Sequence, residues 1–128
     1  MTAMRKRIIG VATVVGCSGM AGASDLTIHL PGSQTFTRKM VKYQCDVQGS
    51  KLGLPTGVFS VEYINGAGNS LAVVPVSGKP MIFANVISGS GARYAAAQFI
   101  WWDAGGRGTT FSSESMAGNV TSECKSIG

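Results

Sequence analysis

Apolar and polar residues alternate with a period of two through most of this 128-residue sequence. In the segment MVKYQCD, residues 40–46, the side chains of Val41, Tyr43 and Cys45 are separated by polar ones. Because successive side chains of a β-strand point to opposite faces, this spacing predicts a strand with one buried face. The segment VFSVEYI, residues 58–64, shows the same alternation, so the chain is predicted to fold as β-structure.

Turn-forming residues divide the alternating segments at intervals of about eight to fourteen residues, which is typical of an antiparallel meander. The turn clusters are NGAGN, SGKP and DAGGRG, at residues 65–69, 77–80 and 103–108. We expect the Asn-Gly pair of the first cluster to form a tight hairpin turn. The strands predicted from the remaining segments are SLAVVPV, MIFANVI, YAAAQFIWW, TTFSS and NVTSEC.

The predicted fold class is all-β, a small antiparallel β-barrel of about eight strands. Closure into a barrel would leave no exposed strand edge in so small a domain. The composition agrees, since 45% hydrophobic residues, 13% charged residues and 18 glycines are typical of a compact, turn-rich β protein. Pro75 cannot donate a ladder hydrogen bond, so its strand should be an edge or carry a bulge. Of the neighbours Trp101 and Trp102, one should be buried and the other exposed.

The amino-terminal residues have the pattern of an export signal. Three basic residues at positions 5–7 precede an apolar run that is too short for a membrane-spanning helix, which needs about 20 residues. The small residues of the AGA segment predict a signal peptide over residues 1–23 and a periplasmic domain over residues 24–128. Alternatively, the VVGC segment resembles a lipoprotein signal ending before Cys17, whose lipidation would anchor the domain to the outer membrane.

Export also decides how the cysteines and the charge are interpreted. In an oxidising compartment Cys45 and Cys124 form an even pair, for which we predict a disulfide. A zinc or thiol redox site would need a CxxC motif or a nearby histidine, and these cysteines have neither. The formal charge of +5 falls to +2 when the three basic signal residues are removed, which is too small to indicate nucleic-acid binding.

The sequence contains no recognisable catalytic motif. His29 is the single histidine, and neither GxSxG nor HExxH occurs. The six carboxylates show no spacing typical of a glycosidase pair. The segment GSGARY has glycines like those of a phosphate-binding loop, but it lacks the full GxGxxG and precedes a predicted strand instead of a helix. We therefore predict a protein that is not an enzyme and that needs no metal and no cofactor.

Five short motifs occur in a characteristic order: YQCD, VEYIN, SGSGARY, WW and a final cysteine. Their order and spacing from Tyr43 to Cys124 resemble those of the MliC/PliC family, bacterial envelope inhibitors of c-type (chicken-type) lysozyme. The resemblance implies an eight-stranded antiparallel barrel with its two cysteines bridged. It also implies that the protein binds c-type lysozyme as its partner, blocks the active-site cleft of the enzyme and so protects peptidoglycan.

The resemblance assigns roles to two loops. Ser90 corresponds to the family serine that enters the lysozyme cleft, and Gly91 would let the backbone approach closely. The residues of this implied inhibitory loop are Ser88, Gly89, Ser90, Gly91, Arg93 and Tyr94. A second loop after the tryptophans contains Asp103, Ala104, Gly105 and Arg107. Ala104 stands where the family has a lysine, and Arg107 offers a cation that could replace it.

Several alternatives stay open at this point. Arg93 could brace its own domain by hydrogen bonding to carbonyls, and Ser90 could be an ordinary turn residue. The barrel could be an envelope adhesion module with a different host partner, which the missing lysine favours. It could also carry a small ligand inside, if its interior leaves a cavity of roughly a few hundred cubic ångströms. The sequence leaves the oligomeric state open, a dimer included.

Overall fold

The structure is a computed structural model that describes residues 27–115 and 118–128. Its contacts divide the chain into two units, Met1–Leu30 and Pro31–Gly128, and the strands belong to the second unit. The predicted signal peptide and Cys17 lie outside the described residues, so both processing alternatives stay predictions. Within the described ranges, no helix is both long enough and apolar enough to cross a membrane.

The second unit contains eight antiparallel strands that close into a barrel. In chain order they are β1 Thr37–Cys45, β2 Phe59–Gly66, β3 Asn69–Val76, β4 Lys79–Val86, β5 Ala92–Ala96, β6 Phe99–Asp103, β7 Thr109–Ser115 and β8 Gly118–Ile127. Each strand pairs with the next one along the chain, and β8 pairs with β1 to complete the barrel. The prediction of an all-β barrel of about eight strands is confirmed.

Inward-facing aromatic side chains fill the centre of the barrel. Trp101 of β6, Phe83 of β4 and Phe111 of β7 are fully buried there. The rings of Trp101 and Tyr43 meet edge to face, with centroids 4.9 Å apart and 86° between their planes. Trp102 is only partly buried, which confirms the prediction for neighbouring residues on a strand. Because these rings occupy the centre, a small ligand cannot be carried at the centre of the barrel.

The predicted disulfide between Cys45 and Cys124 is confirmed. The two residues face each other in the pairing of β1 with β8, with their Cα atoms 3.9 Å apart. The bridge therefore joins the first and last strands at the seam where the barrel closes. It spans 79 residues of sequence, and the loss of chain entropy in the unfolded state should stabilise the fold by about 4 kcal/mol.

Two turns differ from their predicted positions. The segment YAAAQFIWW is not one strand, because Ala97 adopts a left-handed conformation (φ 51°) in the turn between β5 and β6. The first hairpin turn is formed by Ala67 and Gly68 and not by the Asn-Gly pair, since Gly66 already pairs with Asn69. A side chain at Gly66 would collide with the backbone of residues 35–36, so this glycine serves a close approach of two segments.

Pro75 does not lie on an edge strand, because the barrel is closed, so the first of the two predicted alternatives is wrong. In the closed barrel Pro75 faces Pro80 across β3 and β4. The pairing of β3 with β2 ends at Val73, two residues before Pro75. Pro75 therefore breaks no hydrogen bond between β3 and β2, because the two strands are no longer paired at this residue.

A short helix, α1 Val47–Lys51, follows β1 and was not predicted from the sequence. Its N-cap is Asp46, whose Oδ1 accepts hydrogen bonds from the Gln48 backbone N–H at 3.0 Å and the Ser122 hydroxyl at 2.7 Å. Asp46 Oδ2 accepts from the Glu123 backbone N–H at 3.1 Å. The hydrogen bond from Ser122 is the main reason that the pKa of Asp46 is lowered. Asp46 thus ties α1 to β8 beside the disulfide.

Candidate functional site

The first loop, residues 87–91, connects β4 to β5 and carries the predicted contact residue Ser90. Ser88 Oγ donates a hydrogen bond to the carbonyl oxygen of Ser90 at 2.5 Å, which curls the loop on itself. Gly91 has a φ of 65°, and a side chain there would collide with the backbone carbonyl of Asp103. Gly91 therefore lets the first loop rest directly on the start of the second one.

The second loop, residues 104–108, connects β6 to β7 through a single 3-10 turn, Gly105–Arg107. Asp103 Oδ1 accepts a hydrogen bond from the Gly105 N–H at 3.0 Å, and the Ala104 N–H donates to the Gly108 carbonyl at 2.9 Å. Gly105 and Gly108 both have positive φ angles, which suit glycine. These contacts hold the loop in a compact form with the Arg107 side chain exposed.

Arg107 and Trp102 join the two loops at Ser90. Arg107 Nη2 donates a hydrogen bond to Ser90 Oγ at 2.6 Å, and Trp102 Nε1 donates to the Ser90 carbonyl at 3.0 Å. The Arg107 guanidinium also lies 6.0 Å from the centroid of the Trp102 ring. The sequence did not show which residues the Arg107 side chain contacts. In the structure its guanidinium contacts the Ser90 hydroxyl. We call the surface formed by residues 87–91 and 104–108 the Ser90 ridge.

Arg93 and Tyr94, which the sequence grouped with the inhibitory loop, belong to β5 instead. Arg93 Nη2 lies 3.5 Å from Glu114 Oε1 of β7, so the structure supports its bracing role, through a carboxylate instead of carbonyls. Tyr94 is buried, and its ring lies 5.7 Å from that of Tyr63. Burial, and secondarily the charge of Asp103, raises the pKa of Tyr94, so its hydroxyl is neutral.

Ile87 is the residue of this region that sequence reasoning missed. The sequence analysis placed it at the end of a predicted strand, but β4 ends at Val86 and the Ile87 side chain is 98% exposed. A cavity of about 380 Å³ lies beside it and is lined by Ser90, Ile100 and Trp102, among others. An apolar residue directly before a Gly/Ser-rich segment was the sequence signal available for it.

The described residues provide no metal centre. No group of three or more His, Cys, Asp or Glu side chains in residues 27–115 and 118–128 is placed to hold an ion. His29 is exposed. What the ridge offers chemically is therefore hydrogen bonding and charge: a hydroxyl, a guanidinium and an exposed apolar side chain on a braced surface.

A family described as "Membrane-bound lysozyme-inhibitor of c-type lysozyme", MliC, matches residues 43–115 of this chain. The match includes both loops of the Ser90 ridge and covers more than half of the sequence. The chain belongs to the MliC family. That description is of an inhibitor and not of an enzyme, in agreement with the prediction from the sequence.

Two relatives named "Membrane-bound lysozyme inhibitor of C-type lysozyme" support the assignment to the MliC family. The one from Pseudomonas aeruginosa is 46% identical over 85 residues, which are 66% of this chain and 61% of the relative. The one from Cupriavidus necator is 41% identical over 71 residues, which are 56% of this chain and 50% of the relative. The matched part of the chain thus spans half to three-fifths of the length of these relatives.

A solved MliC structure shares the fold. It is described as P. aeruginosa MliC in complex with hen egg white lysozyme, and it is 38% identical to this chain. The superposition has a TM-score of 0.59 and covers 81% of this chain and 97% of the other. The barrel described above is therefore the fold of an MliC protein that was solved bound to a c-type lysozyme.

Proposed function

We propose that this protein inhibits c-type lysozyme by inserting the Ser90 ridge into the active-site cleft. The observation that carries the proposal is the 2.6 Å hydrogen bond from Arg107 to Ser90, which places a cation and a hydroxyl at one point of the loop. Membership of the MliC family and the solved complex of a relative with lysozyme support the choice of partner.

The chemistry of the lysozyme cleft matches this pair of groups. Lysozyme acts through two carboxyl groups, one protonated and one ionised. A guanidinium has five N–H donors, so Arg107 can bind a carboxylate while it still donates to Ser90. Charge-assisted hydrogen bonds of this kind are stronger than neutral ones. In this proposal Arg107 supplies the charge that the family lysine provides, at a site where this chain has Ala104.

The internal hydrogen bonds of the ridge favour tight binding, because a loop that is already ordered loses little conformational entropy on association. The contacts of Ser90 with Ser88, Trp102 and Arg107 already hold the first loop in one conformation. A loop that is rigid before binding loses less conformational entropy when it enters a cleft.

The negative charge of Asp103 would repel a lysozyme carboxylate if it lay at the tip of the ridge, but the position of its side chain reduces that repulsion. Its side chain lies on the inward-facing row of β6 with Trp101, and it lines the mouth of the barrel instead of the tip of the ridge. Asp103 Oδ1 is also occupied by the Gly105 N–H. In the proposed complex the ridge therefore presents Arg107 to the enzyme and keeps the Asp103 charge behind it.

Ile87 extends the proposed contact surface with an apolar group. A nearly fully exposed isoleucine beside Ser90 would be covered as the ridge enters a cleft. Apolar side chains at the centre of an interface typically contribute more binding energy than the polar rim. We therefore assign Ile87 a contact with an apolar wall of the lysozyme cleft.

The location that fits this function is the bacterial envelope, where host lysozyme meets peptidoglycan. Both relatives are named membrane-bound. For this chain we propose either a lipid anchor at Cys17 or a soluble periplasmic form that begins at residue 24. Release of the protein from membranes by detergent but not by salt would distinguish the anchored form from the soluble one.

A cell-wall lysis assay tests the proposed function. Purified protein is titrated against a c-type lysozyme, and the rate of lysis should fall to zero as the protein approaches molar excess. A Ser90→Ala variant should inhibit less strongly, while Ser60→Ala, on the opposite part of the barrel in β2, serves as a matched control. Undiminished lysis at a large excess of the wild-type protein would refute the proposal.

A further inference from the structure

One end of the barrel is lined by polar residues at positions that face inward. The strand rows that supply Tyr43, Tyr63 and Trp101 to the core end at this mouth in hydrophilic side chains, where a filled barrel would carry apolar ones. These residues are Lys39, Asn65, Asp103, Thr109 and Ser126. A cavity of about 560 Å³ opens between them, within the range of about 300–1,000 Å³ that is typical of small-ligand sites.

Tyrosine hydroxyls form the floor of this mouth cavity. Tyr63 accepts a hydrogen bond from Trp101 Nε1 at 2.9 Å, and the hydroxyls of Tyr63 and Tyr43 are 2.7 Å apart. Tyr94 is only 6% exposed, yet its hydroxyl has no hydrogen-bond partner among the described residues. Among the described residues, every fully buried side-chain N or O atom has a hydrogen-bond partner. The unpaired Tyr94 hydroxyl is therefore not fully buried and is accessible from the cavity. A nearly buried donor without a partner is a group that a ligand can satisfy.

Two opposite charges lie on separate walls of the cavity. Lys39 stands on β1, opposite Tyr63 in the strand pairing, and makes no ion pair with any described residue. Asp103 stands on β6, where Gly105 occupies only its Oδ1. The strands β7 and β8 separate the two walls, and Lys39 and Asp103 are not paired with each other. A simple anion would leave Asp103 unmatched, and a simple cation would leave Lys39 unmatched.

We propose that the mouth cavity binds a small zwitterion, a free amino acid or a short peptide. Its carboxylate accepts hydrogen bonds from Lys39 and from the Tyr94 hydroxyl, and its ammonium group donates to the Asp103 carboxylate. The second loop borders this cavity through Gly105, Gly106 and Gly108, but the charged groups of the proposed site are Lys39 and Asp103 and not Arg107. The inference therefore does not depend on inhibition of lysozyme.

The test uses three probes that differ only at their ends. Alanyl-alanine, its N-acetyl derivative and its C-terminal amide are titrated into the ¹⁵N-labelled protein, and backbone amide shifts are followed by NMR. The free dipeptide should shift the amides of Tyr94, Asp103 and Thr109. Loss of either charge should weaken binding by up to about fivefold, because each cap removes one of the two charge pairs and Lys39 is exposed.

Matched variants show which charged residue binds which end of the dipeptide. Lys39→Gln should remove the preference for the free dipeptide over its amide and keep the preference over the acetyl derivative. Asp103→Asn should have the reverse effect, and Lys79→Gln, outside the cavity on β4, should change neither. A distorted fold would weaken all probes equally. The proposal is overturned if the three probes bind alike, or if none shifts these amides at about 10 mM, tenfold above a millimolar Kd.

Discussion

Replacement of Arg107 by alanine tests the proposed inhibitory surface most directly. In the free protein the change removes the 2.6 Å hydrogen bond to Ser90 and the 6.0 Å contact with the Trp102 ring. Both contacts are at the surface, so their loss should cost about 1 kcal/mol of folding stability or less. The barrel should therefore stay folded, and its unfolding midpoint in urea should remain close to that of the wild type.

The loss of inhibition should be much larger than the loss of stability. Truncation of one side of a desolvated charge pair costs about 2–5 kcal/mol of binding energy. Because Arg107 is exposed and Ser90 remains in place, we expect the lower end, about 2 kcal/mol, which raises the inhibition constant roughly 30-fold. Arg107→Lys keeps the charge but not the fork of donors, so it should lose less.

The inhibition constant is measured from the residual rate of cell-wall lysis over a range of protein concentrations. Arg38→Ala is the matched control, because Arg38 is an exposed arginine that pairs with Glu62 away from the ridge. Added salt should weaken the wild type more than Arg107→Ala, since screening acts on the charge that the variant lacks. The reasoning is refuted if Arg107→Ala inhibits like the wild type, or if Arg38→Ala loses as much.

Four further changes test other parts of the structure. Ile87→Ala should raise the inhibition constant about tenfold, because alanine buries less apolar surface than isoleucine. An unchanged constant would show that Ile87 does not contact the enzyme. Trp101→Ala should lower the unfolding free energy in urea by about 3–5 kcal/mol, since it empties the centre of the core. Replacing Cys45 and Cys124 together by serine should cost about 4 kcal/mol in the same measurement, and a loss below about 1 kcal/mol would contradict the entropic argument. The folded-state pKa of Asp46 is lowered, so its stabilisation is present above the unfolded-state pKa and is lost as the pH falls through the folded-state value. Asp46→Asn should therefore flatten the fall of the melting temperature below about pH 4, and an unaltered slope would count against the role of this carboxylate.

Local signals predicted most of the fold. The alternation in β1 and β2 and the turn residues at Ser77 and Gly78 predicted strands and a turn that the structure contains. Prediction failed where a local signal was absent or was overridden by the register of the strands. Ala97 is an alanine in a left-handed turn, and Gly66 sits in a strand because another segment passes close to it. The conformation of Ala97 follows from the two-residue hairpin between β5 and β6, and the position of Gly66 reflects the close approach of another segment; the residue types alone indicate neither.

The candidate site was also predicted only in part from the sequence. Motif order placed both loops and Ser90 in the candidate site, but it grouped Tyr94 with the loop, although its ring lies in the core. It also assigned Ile87 to a strand and left the reach of Arg107 undecided. Ser90 and Arg107 are 17 residues apart in sequence, so only the pairing of β5 with β6 and of β6 with β7 decides that they meet.

The sequence by itself determined the β-class, the pairing of Cys45 with Cys124 and the family to which the motifs belong. These follow from properties of single residues and their spacing: alternation, turn chemistry and an even number of cysteines. Only the tertiary structure decided that Arg107 reaches Ser90 and that a polar mouth with Lys39 and Asp103 opens above a floor of tyrosines. Those features depend on the closure of the barrel, which brings residues from distant strands together through long-range pairing.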